Sequence, residues 1–125
     1  MILLDTSVWV DHLRADEPTV VRLLGDGQVA CHPWVTGELS LGSLAQRQEI
    51  LTLLANLPQA TVATDDEVAA LIEGRELHGR GIGYVDVQLL AATLLSGAHQ
   101  LWTRDKRLAE AARDLGCAAE LQHDV

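Results

Sequence analysis

Residues 84–115, YVDVQLLAATLLSGAHQLWTRDKRLAEAARDL, decide the fold. From Tyr84 to Ser96, apolar residues fall on nearly every side of a helical projection, so the helix they form must be largely buried. Gly97 permits a turn, and the apolar stretch Gln100 to Thr103 reads as a strand. A last helix follows from Asp105 to Leu115, and Gly116 stops it. A buried helix feeding a buried strand that feeds another helix is the unit of a parallel sheet covered on both faces.

The same pattern recurs outward from this stretch. Ile2 to Leu4 form a strand ending at Asp5, and Thr6 and Ser7 offer hydroxyls suited to opening a helix that carries Val8, Trp9, Val10 and Leu13. Pro18 suits the first turn of a second helix, which the Gly25-Asp26-Gly27 turn closes before a strand at residues 28–31 that Pro33 breaks. Short helices are expected at residues 36–41 and 50–57, with a stop at Pro58, and a minor strand at residues 61–63. Asp65, Asp66 and Glu67 crowd the start of the next helix, where carboxylates meet the positive end of its dipole. The glycine-bearing segment 78–83 leads into the buried helix, and residues 117–121 add an edge strand. The expected architecture is α/β: a three-layer α/β/α sandwich with a short, mostly parallel central sheet and right-handed crossovers, one domain over residues 1–125.

Composition excludes several classes. Hydrophobic residues make up 48% and charged residues 22% of the 125, a globular balance that needs no disulfide scaffold and argues against disorder. Cys31 and Cys117 lack any C-x-x-C or paired-histidine spacing and read as small buried hydrophobes. Asp5 interrupts the opening apolar run too early for a signal-peptide core, and no apolar stretch approaches the roughly 18 residues that span a bilayer, so a cytoplasmic protein away from the membrane is expected. The 18 acidic residues outnumber the 9 basic ones, a net charge of −9, which ordinarily argues against a nucleic-acid partner.

Four of those acids stand where a neutral or apolar residue would be ordinary. Asp5 closes the first strand, in the region where open parallel sheets bind ligands, although Asp is also a good helix cap. Asp86 lies in the most apolar helix, with Leu90 and Thr93 on its stripe; there it needs a facing cation or donors, or must stay protonated, and a structural hydrogen bond to backbone is the alternative. Glu38 has Trp34 and Val35 one turn before it and Leu41 one turn after, and a rim placement with its carboxylate in water is the alternative. Asp105 follows the strand ending in Thr103, where helix capping would also explain it. Four carboxylates in one pocket would repel unless a cation separates them, and hard oxygen ligands favour Mg²⁺ or Mn²⁺, one ion or two. Such a site suits hydrolysis of a phosphodiester.

At these residues the chain resembles the PIN-domain ribonucleases and, among them, the VapC-type toxins of prokaryotic toxin–antitoxin pairs. The resemblance runs through LLDTSVWVDHLR, VTGELSLGS and GIGYVDVQLLAATLLSGAHQLWTRDKRLAEAA. It implies that Asp5, Glu38, Asp86 and Asp105 form the catalytic, metal-binding quartet, and that Thr6 or Ser7 and Thr103 are hydroxyls supporting the aspartates. It also implies endonucleolytic cleavage of RNA dependent on Mg²⁺ or Mn²⁺, inhibition by a cognate antitoxin, and a homodimer.

Arg80, Arg104, Lys106 and Arg107 are candidate phosphate contacts, against the plain alternative of a solvated helix face. Trp9, Trp34, Trp102 and Tyr84, each within four residues of a candidate acid, could stack on unpaired bases, but core packing is the preferred reading, because a chain without phenylalanine has few other large residues to fill its interior. The five histidines share no ligand spacing and are expected at the surface. Two other functions fit an acidic α/β domain: a phosphoacceptor receiver and a non-catalytic protein-binding module. A receiver is disfavoured, because Asp5 lacks an acidic neighbour and the only lysine is Lys106.

Overall fold

The computed structural model describes residues 1–97 and 99–121. Three short strands, β1 (Ile2–Leu4), β2 (Val29–Ala30) and β3 (Gln100–Trp102), form a sheet in the order β2-β1-β3. Both pairings are parallel, with Leu3 opposite Ala30 on one side and Leu101 on the other. Successive strand residues point to opposite faces, and both Leu3 and Leu4 are fully buried, so both faces of β1 are covered. This is the expected α/β sandwich.

Seven helices lie among the described residues: α1 (Thr6–Arg14), α2 (Pro18–Gly25), α3 (Pro33–Ser40), α4 (Arg47–Asn56), α5 (Asp65–Gly74), α6 (Tyr84–Leu95) and α7 (Lys106–Asp114). Helix α6 is the centrepiece, with every residue from Val87 to Thr93 buried. Gln88 and Thr93 are carried inside with it, and Thr93 satisfies its hydroxyl on the Leu89 carbonyl at 2.7 Å. Helix α7 buries Leu108, Ala111 and Ala112 against the same core, and Gly116, at φ +74°, supplies the left-handed residue that ends it. Thr64 and Glu67 form a reciprocal capping box at the start of α5, which accounts for part of its acid cluster. None of these helices is long and apolar enough to cross a membrane.

The structure corrects several sequence expectations. Pro33 is the first residue of α3, because His32 caps the helix: its Nδ1 accepts the Trp34 N–H at 3.1 Å. His32 is therefore fully buried, against the expected surface placement. The strand expected at residues 61–63 is absent; the chain instead touches the sheet at one bridge, Cys31 to Gln59, before leaving as loop. The edge strand expected at residues 117–121 shrinks to a single bridge between Leu101 and Ala118. Leu41 is 90% exposed, since α3 has ended by then and no longer holds it on the inner stripe. Cys31 and Cys117 are buried and free, as read, and burial pushes both thiols up. His123 lies outside the described residues.

Candidate active site

Strand order reverses at β1, because the chain places β2 on one side of it and later returns to place β3 on the other. The crevice at the carboxyl ends of β1 and β3 is thus a topological switch point, the usual ligand site of an open parallel sheet. Asp5 stands there directly after β1, tied by its N–H to the Trp102 carbonyl at 2.9 Å.

Asp5 is only 7% exposed, and donors surround its carboxylate. Oδ1 accepts the Thr6 N–H at 2.7 Å, so Asp5 does cap α1. Oδ2 accepts the Ser7 hydroxyl at 2.9 Å and the Thr103 hydroxyl at 2.7 Å. Thr103 in turn accepts the Asp105 N–H at 3.0 Å, and Ser7 accepts the Arg104 N–H at 3.0 Å. Asp105 caps α7 through Oδ1, which takes the N–H groups of Arg107 and Leu108. The Thr6 hydroxyl points elsewhere and donates to Oε1 of Glu38 at 2.6 Å. One lattice of short hydroxyl bonds thus links three acids from two ends of the sequence and one helix in between.

Asp86 is held separately. Its Oδ2 accepts the Gly83 N–H at 2.9 Å at the start of α6, and the side chain is half-buried. Burial pushes its carboxyl above the ordinary value, the Gly83 hydrogen bond pulls the other way, and the negative charges of Asp5, Asp105 and Glu38 push it up further. The carboxylates felt by Asp86 are the other three of the quartet, so all four share one electrostatic neighbourhood.

The capping alternatives for Asp5 and Asp105, the backbone hydrogen bond for Asp86 and the rim alternative for the exposed Glu38 are therefore true, but incomplete. Capping engages one oxygen of Asp105. Among the described residues no donor reaches Oδ2 of Asp105, Oδ1 of Asp86 or Oε2 of Glu38. Among the same residues no three potential ligands close up into a ready-made cation cage. Like charges hold apart without a counter-ion, and Mg²⁺ takes only one or two carboxylates directly and keeps several waters. The donor set, all hard oxygens with free lone pairs, fits such an ion.

The basic candidates divide. Arg80 pairs with Asp114 at 2.7 Å, and Arg104 pairs with Asp11 and Glu17 while lying over the Trp102 ring. Both guanidiniums are occupied by carboxylates. Lys106 and Arg107 form no ion pair among the described residues. Arg107 lies across Gly81, so close that a Cβ there would clash with its guanidinium, and Gly81 has φ +77°. A side chain at position 81 would displace the guanidinium, a contact between α7 and the approach to α6 that sequence spacing could not reveal. The Thr6–Glu38 bond was hidden for the same reason, since 32 residues separate the partners.

Residues 2–114 match the PIN domain family, and the chain belongs to it. The particular relatives are Ribonuclease VapC32 from two Mycobacterium tuberculosis strains, CDC 1551 / Oshkosh and ATCC 25618 / H37Rv. Each is 54% identical over 118 residues, covering 94% of this chain and 95% of the relative. That likeness supports its placement among VapC-type members, and the receiver alternative falls with it.

Proposed function

We propose that the chain, as one PIN domain, is a divalent-metal-dependent endoribonuclease acting in the cytoplasm as the toxin of a toxin–antitoxin pair, as a homodimer restrained by a cognate antitoxin. The observation that carries the reading is the shared field at Asp86, into which Asp5, Glu38 and Asp105 all project charge. The family match and the VapC32 relatives, ribonucleases by name, support the same assignment.

In this reading Asp5, Glu38, Asp86 and Asp105 hold Mg²⁺ or Mn²⁺, one ion or two. The metal, when bound, lowers the pKa of attacking water and neutralises charge developing on the phosphate. The chain's own contribution is rigidity. Ser7 and Thr103 fix Asp5, Thr6 steers Glu38, the α7 N-terminus fixes Asp105, and Gly83 fixes Asp86. Lys106 and Arg107, free of carboxylate partners among the described residues, are the cations left to hold RNA phosphates in this reading. An ion pair would have to open before Arg80 or Arg104 could do so. The net charge of −9 is no obstacle, because bound divalent ions offset the quartet's own charge.

The test is cleavage of single-stranded RNA by purified protein with Mg²⁺, with Mn²⁺ and with chelator, comparing wild type with Asp5→Asn and Asp86→Asn. Cleavage that needs metal and falls at least about 100-fold in both variants supports the reading. Cleavage indifferent to both changes, or none by wild type, overturns it; a protein that binds its antitoxin but never cuts RNA would be the non-catalytic module.

A further inference from the structure

The four large aromatic residues fare differently from one another. Trp9 is fully buried and Trp102 is 6% exposed, as a filled core requires, but Trp34 is 39% and Tyr84 45% exposed. These two meet each other, ring centroids 5.9 Å apart with planes inclined at 42°. In α3 the inward stripe is Val35 and Leu39, which leaves Trp34 and Glu38, four residues apart, together on the adjoining outer stripe. Tyr84 opens α6, two residues before Asp86. The aromatic pair therefore joins the same two helices that present Glu38 and Asp86. Tyr84 is tethered: its hydroxyl donates to Oδ1 of Asp65 at 2.8 Å and accepts the Gln88 amide at 3.5 Å.

Resting on the ribonuclease reading, we propose that Trp34 and Tyr84 form a stacking platform for an unpaired base of the RNA next to the cleaved bond. The acids presented by the same helices would meet the charged backbone only through bound metal, whereas a pair of rings offers π-faces to a base. A base inside a duplex has both faces covered, so the platform selects nucleotides in single strands or loops. A tethered tyrosine loses little freedom on binding, which makes the surface pre-organised. The platform is a substrate-binding element and takes no part in the bond-breaking step.

The experiment uses the full chain and a short oligoadenylate with Ca²⁺ in place of Mg²⁺, the RNA checked for integrity by gel. Trp34 is the exposed tryptophan, so the long-wavelength part of the intrinsic fluorescence reports it, with the buried Trp9 and Trp102 as internal reference. RNA should quench that component in wild type and in Tyr84→Phe, and the component should be missing in Trp34→Phe. Trp34→Ala and Tyr84→Ala should raise Kd about 5- to 100-fold, about 1–3 kcal/mol at 1.4 kcal/mol per decade, while Trp34→Phe retains most affinity. In Mg²⁺ the alanine variants should raise KM more than they lower kcat.

Wild type that binds and cleaves RNA without quenching, or alanine variants with unchanged Kd, would overturn the platform and leave the ribonuclease standing. Absence of cleavage by wild type would overturn the ribonuclease itself. A Trp34 emission that shifts with protein concentration and ignores RNA would make the pair a contact between copies of the chain, and would also refute the proposal.

Discussion

Thr103→Val is the sharpest perturbation of the hydroxyl lattice, because valine keeps the shape of threonine and removes only the hydroxyl. That oxygen donates to Oδ2 of Asp5 at 2.7 Å and accepts the Asp105 N–H at 3.0 Å. The first bond ends on a carboxylate that is 7% exposed, so water replaces it poorly. A hydrogen bond to a charged group contributes about 1.5–3 kcal/mol, and the second bond, nearer solvent, about 0.5 kcal/mol. The expected destabilisation is about 2–3.5 kcal/mol, a Tm lower by about 8–13 °C at the entropy typical of a chain this size. Thr103→Ser keeps both bonds and should cost less than about 1 kcal/mol, the loss of a methyl group. Thermal and urea unfolding without metal measure both variants. A valine variant within about 0.5 kcal/mol of wild type, or a serine variant as damaging as valine, would show that the lattice does not hold Asp5 as described.

Three further outcomes follow from the same structure. Burial holds His32 below the usual histidine range and no partner reaches its Nε2, so the unfolded chain binds more protons below about pH 6.5. Its contribution to stability is complete above that pH and shrinks as pH falls; urea unfolding against pH should show a slope that His32→Asn, which keeps a capping oxygen, reduces. Leu90→Ala empties a fully buried site on α6 and should cost about 2–5 kcal/mol by chemical denaturation, against near-neutrality for the exposed Leu41→Ala. Arg107→Ala should weaken RNA binding and lower the slope of log K against log salt by about 0.7 if it meets one phosphate of a single strand. An unchanged slope would return Arg107 to a purely structural contact with Gly81.

Much of this was legible because burial constrains charge. An acid inside VDVQLLAATLL calls for a partner, and Asp86 takes the Gly83 N–H at the helix start while also lying in the field of Asp5, Glu38 and Asp105. The strands and most helices followed from apolar runs punctuated by glycine and proline. What failed were features set by tertiary contact. His32 is an uncommon cap, so α3 read as starting three residues late. Residues 61–63 have strand-forming types but meet no strand edge. Trp34 and Tyr84 read as core by size, and only the placement of α3 beside α6 leaves them exposed together. Arg80 and Arg104 read as phosphate ligands from proximity in sequence, yet partners 34 and 87 residues away claim them.

The central claim, that four carboxylates form one cation site, is tested most directly by titrating Mn²⁺ into the protein and counting free ion by electron paramagnetic resonance. Wild type should bind Mn²⁺ more tightly as pH rises through the elevated range of Asp86, because binding requires that carboxylate ionised. Asp5→Asn, Glu38→Gln, Asp86→Asn and Asp105→Asn should each weaken binding by about tenfold or more. Equal Mn²⁺ affinity in wild type and all four variants, with no dependence on pH, would contradict the account.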